Sequence, residues 1–369
     1  MIDRRNFIQQ LTAATIATAA SGKVFSQPAR EKKKDDIIWA ILMHISYNMW
    51  VDYTPEQYRH PYDEKKLKTC RDAMMWALQY HPFLTCDKKV WDNILKRSSQ
   101  AGLNTVIVDL GDGVKYQSHP EIAVKGAWTV SQLKSELAKM RKMGLEPVPK
   151  LNFSTGHKAW LGPYQRMIGT KKYYEVCKNL INEVCDIFGK PRYFHIGMDE
   201  ETAGNQATHQ NLVVRQGDFW WHDFYYLVDL VEKRNARSWI WSDLAWDNTD
   251  AFLKKMPKSV LQSNWYYYSD SLEKSALDKL SEPTRSRYIK YVSLYDKLQE
   301  HGFDQVPTGS NHATNGNMVG TVEYCKKNID PKHLKGFMQS VWRPTLPLCE
   351  QTHINAVNQL KDGKDLFYK

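Results

Sequence analysis

Several familiar signals are missing from this 369-residue sequence. Its six cysteines form no C-x-x-C pair, so neither a zinc ribbon nor a thioredoxin-type dithiol is indicated. No G-x-G-x-x-G follows the first apolar run, and Gly111-Asp112-Gly113 is only a turn fragment, which removes the support for dinucleotide binding. After the first 25 or so residues, nothing approaches the roughly 18 uninterrupted apolar residues of a membrane span, so the body of the chain is expected to stay out of the bilayer. Dense basic runs are scarce as well. The formal charge of +10 comes from 51 Lys and Arg against 41 Asp and Glu, spread without the clustered stripe that nucleic-acid binding needs.

Aromatic residues are plentiful. With 13 Trp, 20 Tyr and 12 Phe the chain can bury a large core, which excludes disorder for most of its length. The start, Met1-Ile2-Asp3-Arg4-Arg5-Asn6-Phe7-Ile8, runs into a mild Leu/Ile/Ala/Thr stretch from Leu11 to Ala20, the pattern of a bacterial twin-arginine export signal. Residues 1–35 are therefore expected to be signal and polar linker, cleaved between Ala20 and Ala29, with the mature protein in the periplasm or outside the cell. No cysteine follows the apolar run, so no lipid anchor is expected. Cys177 and Cys185 lie on one predicted helix about 12 Å apart by rise, too far to bridge, and all six cysteines are expected to be free thiols.

Eight β-rich runs recur along the chain. They span 37–45, 105–110, 146–153, 192–198, 237–244, 260–265, 305–309 and 336–342. Stretches with apolar residues at three- and four-residue spacing lie between them, for example 130–143, 173–188, 219–233, 288–301 and 346–360. Met143-Gly144, Gly189-Lys190-Pro191 and His301-Gly302 supply helix stops just ahead of strands. This alternation predicts an α/β fold, a single (β/α)8 TIM barrel over residues 36–369, with an open doubly wound sheet as the competitor.

In such a barrel the chemistry sits where strands end. The second strand runs into Asp109 and Asp112, the third into Asn152 and His157, and the fourth into Asp199, Glu200 and Glu201. The fifth runs into Asp243 and the sixth into Tyr266, Tyr267, Tyr268 and Asp270. Trp241, Trp265 and Trp342 lie on strands five, six and eight. Carboxylates among tryptophans suit a sugar-cleaving pocket, which needs an acid for the leaving oxygen, a negative partner for the developing cation and flat walls for pyranose faces.

The run His195-Ile196-Gly197-Met198-Asp199-Glu200 resembles the H-x-G-x-D-E signature of glycoside hydrolase family 20, the β-N-acetylhexosaminidases. Further segments are similar in the same order: Leu103-Asn104 followed by Asp112, Glu146-Pro147 leading to Gly156-His157, Trp241-Ser242-Asp243, Tyr268-Ser269-Asp270, and Gly336 to Trp342. The resemblance implies a retaining, substrate-assisted mechanism in which the substrate's own 2-acetamido oxygen attacks the anomeric carbon. Glu200 would be general acid and then base, and Asp199 would orient the acetamido group. Tyr268 would donate to the acetamido oxygen, while His157, hydrogen-bonded to Asp112, would tune Glu200, which burial or a neighbouring carboxylate is expected to keep protonated near neutrality. Trp241, Trp265 and Trp342 would wall the pocket, with Asp243 and Asp270 binding the sugar. No cofactor and no metal are implied, and the partner is an amino-sugar glycan.

Two departures bear on the sugar. The family's first strand ends near an arginine, where this chain has His44-Ile45-Ser46-Tyr47-Asn48. Its eighth strand ends Trp-x-Glu, where this chain has Trp342-Arg343-Pro344. Arg343, with Lys158 or Arg166, could instead receive an anionic sugar. Each residue also has a plainer reading: Asp199 to Thr202 as helix-start acids, Asp112 and Asp270 as turn or cap residues, His157 as a loop histidine, and the aromatics as core. Two rival functions are a non-catalytic glycan-binding barrel and a metal-dependent barrel hydrolase using His44, Asp109, His195 and Asp199, although His44-Ile45-Ser46 lacks the usual second histidine.

Overall fold

A computed structural model describes residues 37–207 and 213–369, and the twin-arginine segment lies outside the described residues. Residues Ile37–Lys369 form one unit. Its framework is a ring of parallel strands: β1 (Ile38–His44), β2 (Thr105–Asp109), β3 (Glu146–Lys150), β4 (Tyr193–Gly197), β5 (Arg237–Trp241), β6 (Leu261–Ser263), β7 (Thr308–Ser310) and β8 (Gly336–Ser340). The hydrogen-bonded order runs β6-β5-β4-β3-β2-β1-β8-β7. Bridges from Gln262 to Gln305 and from Trp265 to Thr308 join the two ends of that sheet, so the ring closes as a (β/α)8 barrel.

The strands are buried on both faces because helices cover the outside and side-chain layers fill the inside; all seven residues of β1 are buried. Eight outer helices follow the strands in turn: α1 (Lys88–Gln100), α2 (Val130–Lys142), α3 (Lys171–Phe188), α4 (Gly217–Glu232), α5 (Thr249–Lys255), α6 (Thr284–Glu300), α7 (Asn317–Asn328) and α8 (Glu350–Phe367). Their inward stripes follow the helical period. Helix α3, for example, buries Tyr173, Val176, Cys177, Leu180, Ile181, Val184 and Cys185, with about 1.5–3 kcal/mol for each large aliphatic side chain. Thr129 and Gln132 form a reciprocal cap at the start of α2, and Gly189, at φ 71°, ends α3 in the left-handed region where a Cβ is penalised. The eighth predicted helix begins at Glu350 and continues to Phe367, since residues 347–349 form a separate turn.

Two features of the fold were not expected. Residues 45–87, between β1 and α1, form a long excursion that carries an extra helix at Cys70–Ala77, started by a reciprocal Thr69–Asp72 cap. Cys70 at its start is disulfide-bonded to Cys349, with Cα atoms 4.6 Å apart, which corrects the expectation that every thiol is free. The partners are 279 residues apart in sequence, and only the pairing of β1 with β8 brings the segments that follow those strands together. Cys177, Cys185 and Cys325 are buried free thiols.

The inside of the barrel holds one charged layer. His44, Asp109, Lys150 and His195 occupy matching register positions on β1, β2, β3 and β4. The fully buried Lys150 donates to Asp109 at 2.5 Å, and the His44 ring contacts the same carboxylate oxygen at 3.1 Å. The Lys150 ammonium therefore supplies the cation that neutralises Asp109. This corrects the metal-hydrolase grouping of His44, Asp109, His195 and Asp199, because Asp199 lies beyond the layer in contact with a different histidine. Among the described residues, no cluster of His, Cys, Asp and Glu has the arrangement of a metal site.

Candidate active site

Strand β4 stops at Gly197 with a register shift against β5, and residues 198–200 do not continue the pleat. Gly197, Met198 and Glu200 have φ values of 75°, 73° and 55°. Such backbone is strained for Met and Glu and persists only when the surroundings hold it. Asn152, just past β3, supplies much of that hold. Its Oδ1 accepts from the Met198 amide at 3.3 Å and the Ser154 amide at 3.0 Å, while its Nδ2 donates to Asp199 Oδ1 at 2.9 Å. A Cβ on Gly197 would lie 2.0 Å from Asn152 Oδ1, so glycine is required both by space and by φ.

This kinked segment places two carboxylates on one imidazole. His157 Nδ1 contacts Asp199 Oδ1 at 3.1 Å, and His157 Nε2 contacts Glu200 Oε2 at 3.1 Å. The acids differ in setting: the Asp199 side chain is 6% exposed and that of Glu200 45%. Burial alone would lower the pKa of His157, but the charges and hydrogen bonds of Asp199 and Glu200 raise it to about 10, so the ring is an imidazolium at neutral pH. Burial would raise the pKa of Asp199. The adjacent imidazolium, Lys150 and the Asn152 amide outweigh burial and hold the carboxyl well below the usual range.

The sequence-derived residues divide into several groups. Asp199, Glu200, His157, Trp265, Tyr268 and Trp342 all line one cavity of about 250 Å³. Asp243 stands beside it, with Oδ2 accepting from the Glu200 amide at 2.8 Å and Oδ1 3.4 Å from the Trp265 indole nitrogen. Burial, with the charges of Asp199 and Glu200, pushes its pKa up to about 8. Trp241 lies deeper than expected, 1% exposed and packed against Trp342 and the His195 ring, so it supports the wall without lining it.

Other expectations need correction. Asp112 does not reach His157. It accepts from Ser46 Oγ and, at 2.8 Å, from Asn48 Nδ2, and burial raises its pKa to about 7. It thereby anchors the residues on both sides of Tyr47. Asp270 faces outward and accepts from the Gly316 amide at 2.9 Å, which makes it a loop tie next to α7. Of the two influences expected on Glu200, burial and a neighbouring carboxylate, burial is absent, since the side chain is 45% exposed and lines the cavity. The cations considered for an anionic sugar do not line the cavity: Arg166 pairs with Asp52, Lys158 is buried, and Arg343 donates to His312 and to the Trp342 carbonyl.

Sequence reasoning missed Trp50, Met74, Leu78 and His312, which complete the lining together with Tyr47 and Tyr267. The first three lie on the β1 excursion, where no motif marks them. A second cavity of about 470 Å³ shares Glu200, Trp265 and Tyr268 with the first, so Glu200 stands on the boundary between two spaces. That placement suits a group that delivers a proton to a bond lying between them.

Residues 133–352 match the catalytic domain of glycosyl hydrolase family 20. The fold is similar to that of a β-N-acetylhexosaminidase from Bacteroides fragilis (12% identity, TM-score 0.52, 86% of this chain and 65% of that one). It is also similar to a family 20 exo-β-N-acetylglucosaminidase from Vibrio harveyi solved with N-acetylglucosamine (13% identity, TM-score 0.53, 88% and 54%). A third similar structure is the N-acetyl-β-hexosaminidase of Streptomyces plicatus (11% identity, TM-score 0.54, 89% and 64%). The chain thus spans less than two thirds of the length of each. No curated protein sequence matches it.

Proposed function

This chain belongs to glycosyl hydrolase family 20, and from that premise we propose that it is a retaining β-N-acetylhexosaminidase acting by substrate assistance. The observation that carries the reading is the single imidazolium shared by a buried and an exposed carboxylate. Both contacts to Asp199 fall on Oδ1, which leaves Oδ2 to accept the acetamido N–H. The acetamido oxygen then attacks the anomeric carbon as the glycosidic C–O bond breaks, and Asp199 balances the charge that develops on the acetamido nitrogen. Glu200 receives the proton of the His157 imidazolium, which it meets at Oε2, and passes it to the departing oxygen. It next takes a proton from water, which opens the oxazolinium and restores the acetamido group with retained configuration. Tyr268 and Tyr267 both border the cavity, and Tyr268 is the proposed donor to the acetamido oxygen, because the Tyr267 hydroxyl is engaged by the Trp342 indole at 3.3 Å.

The test is turnover of aryl N-acetyl-β-glucosaminide and aryl N-acetyl-β-galactosaminide by the wild type beside Glu200→Gln. Activity reduced by about 10²–10⁴ in the variant supports the assignment. No turnover of either sugar by folded wild-type protein would count against it.

Export through the twin-arginine route is part of the same reading. It is supported by Arg4-Arg5 ahead of the Ala/Thr stretch and by the Cys70–Cys349 disulfide, which suits an oxidising compartment. Mass spectrometry of the native protein should find a new N-terminus between residues 20 and 29, and an intact Met1 in the secreted fraction would refute it. Among the described residues, no helix is long and apolar enough to cross a membrane.

A further inference from the structure

The cavity's chemistry is unevenly distributed. Among the residues that line it, the charged groups are His157, Asp199 and Glu200, the cluster that faces C1 and C2 of a bound amino sugar under the function proposed above. The wall supplied by the β1 excursion is different in kind: Tyr47, Trp50, Met74 and Leu78, continued by Trp342. Tyr47, Trp50, Leu78 and Trp342 belong to one hydrophobic cluster. Tryptophan faces are ordinary sugar platforms, but a thioether and an isobutyl group offer nothing to a hydroxyl. A hydroxyl pressed against them gives up water and gains no partner.

The wall is also preformed. Asp112 holds Ser46 and Asn48 on either side of Tyr47. The helix bearing Met74 is capped by Thr69 and tied at Cys70 to Cys349, and Leu78 follows directly on it. A wall fixed in this way selects for what the substrate already carries.

We propose that the substrate of this cavity is a 2-acetamido sugar whose exocyclic carbon ends in a methyl group, as a 6-deoxy carbon or a 6-O-acetyl ester, in place of a free 6-hydroxyl. With C1 at Glu200 and C2 at Asp199, C6 is the carbon that projects outside the ring and can follow a wall. The inference rests on the hexosaminidase reading and names its substrate class.

The experiment measures kcat/KM of the full chain for three p-nitrophenyl β-glycosides: N-acetylglucosamine, its 6-deoxy analogue and its 6-O-acetyl ester. At least one modified sugar is expected to exceed the parent by about 10- to 100-fold, the discrimination an apolar pocket achieves against an added hydroxyl. The favoured arm identifies which methyl-bearing group is meant. Met74→Gln with Leu78→Gln should shrink that ratio several-fold, with a thermal melt to verify folding. If the double variant fails to fold, the wild-type ratio decides alone. Parent turnover equal to or better than both analogues overturns the inference and leaves the hexosaminidase reading standing. Hydrolysis of none of the three overturns both.

Discussion

Asp243 is a buried acid whose pKa is raised to about 8, held against the Glu200 amide and close to the Trp265 indole. At neutral pH it is protonated, and as pH rises through 8 it becomes an anion in a site that already holds Asp199. Loss of activity above about pH 8 is therefore expected. The same limb should be absent or shifted upward in Asp243→Asn, read from kcat/KM against pH on an aryl N-acetyl-β-glucosaminide; an unchanged limb would assign the ionisation elsewhere. His157 bears on stability as well. Its folded pKa of about 10 lies above the unfolded value of about 6.5, so its contribution is complete below pH 6.5 and is lost as pH rises toward 10. The urea midpoint of the wild type should fall across that window, and His157→Asn should flatten the fall.

At the scale of elements, the end of β4 is set by its neighbours. Gly197→Ala puts a Cβ onto Asn152 and a side chain at φ 75°. Asn152 must then move, and Asp199 loses a donor. We expect about 1–3 kcal/mol of lost stability together with a fall in kcat, measured by denaturant titration and steady-state kinetics. A fall in KM alone, with kcat preserved, would mean that Asn152 does not position Asp199. The segment after Glu200 is secured by Arg215, which is fully buried and bonded to Glu201, to the Phe153 carbonyl at 2.7 Å and to Asp223 at 3.3 Å. Glu201 in turn accepts from the Thr155 amide and hydroxyl at 2.9 and 2.7 Å, which joins the loops after β3 and β4. Arg215→Met strands two buried carboxylates and should cost about 3–5 kcal/mol. An unchanged urea midpoint would show that the network does not hold these loops.

For the whole molecule, the Cys70–Cys349 bond connects the excursion after β1 to the segment after β8. Removing both sulfurs by Cys70→Ser with Cys349→Ser should cost about 2–5 kcal/mol. It should also raise KM more than it lowers kcat, because Met74 lies on the tethered helix while Asp199 and Glu200 do not. Unchanged KM and unchanged Tm would make the bond incidental.

The alternating strands and helices of the barrel are legible in the chain, because parallel strands buried on both faces read as short apolar runs and the helices between them carry their own period and stop signals; ring closure, which excludes the open sheet, is not. The proposed acid pair is legible there too, since Asp199 and Glu200 are neighbours in the chain within a recognisable run. Tertiary structure decided the rest. Asp112 and His157 are both strand-end residues, yet packing sent one to Ser46 and Asn48 and the other to the carboxylates. Trp241 ends β5 and Trp342 follows β8, three strands away around the ring, and only barrel curvature makes one the backing of the other. Trp50, Met74 and Leu78 carry no local signature, because a loop's approach to a pocket depends on ring closure and on a disulfide spanning 279 residues, neither of which leaves a periodic trace in the chain.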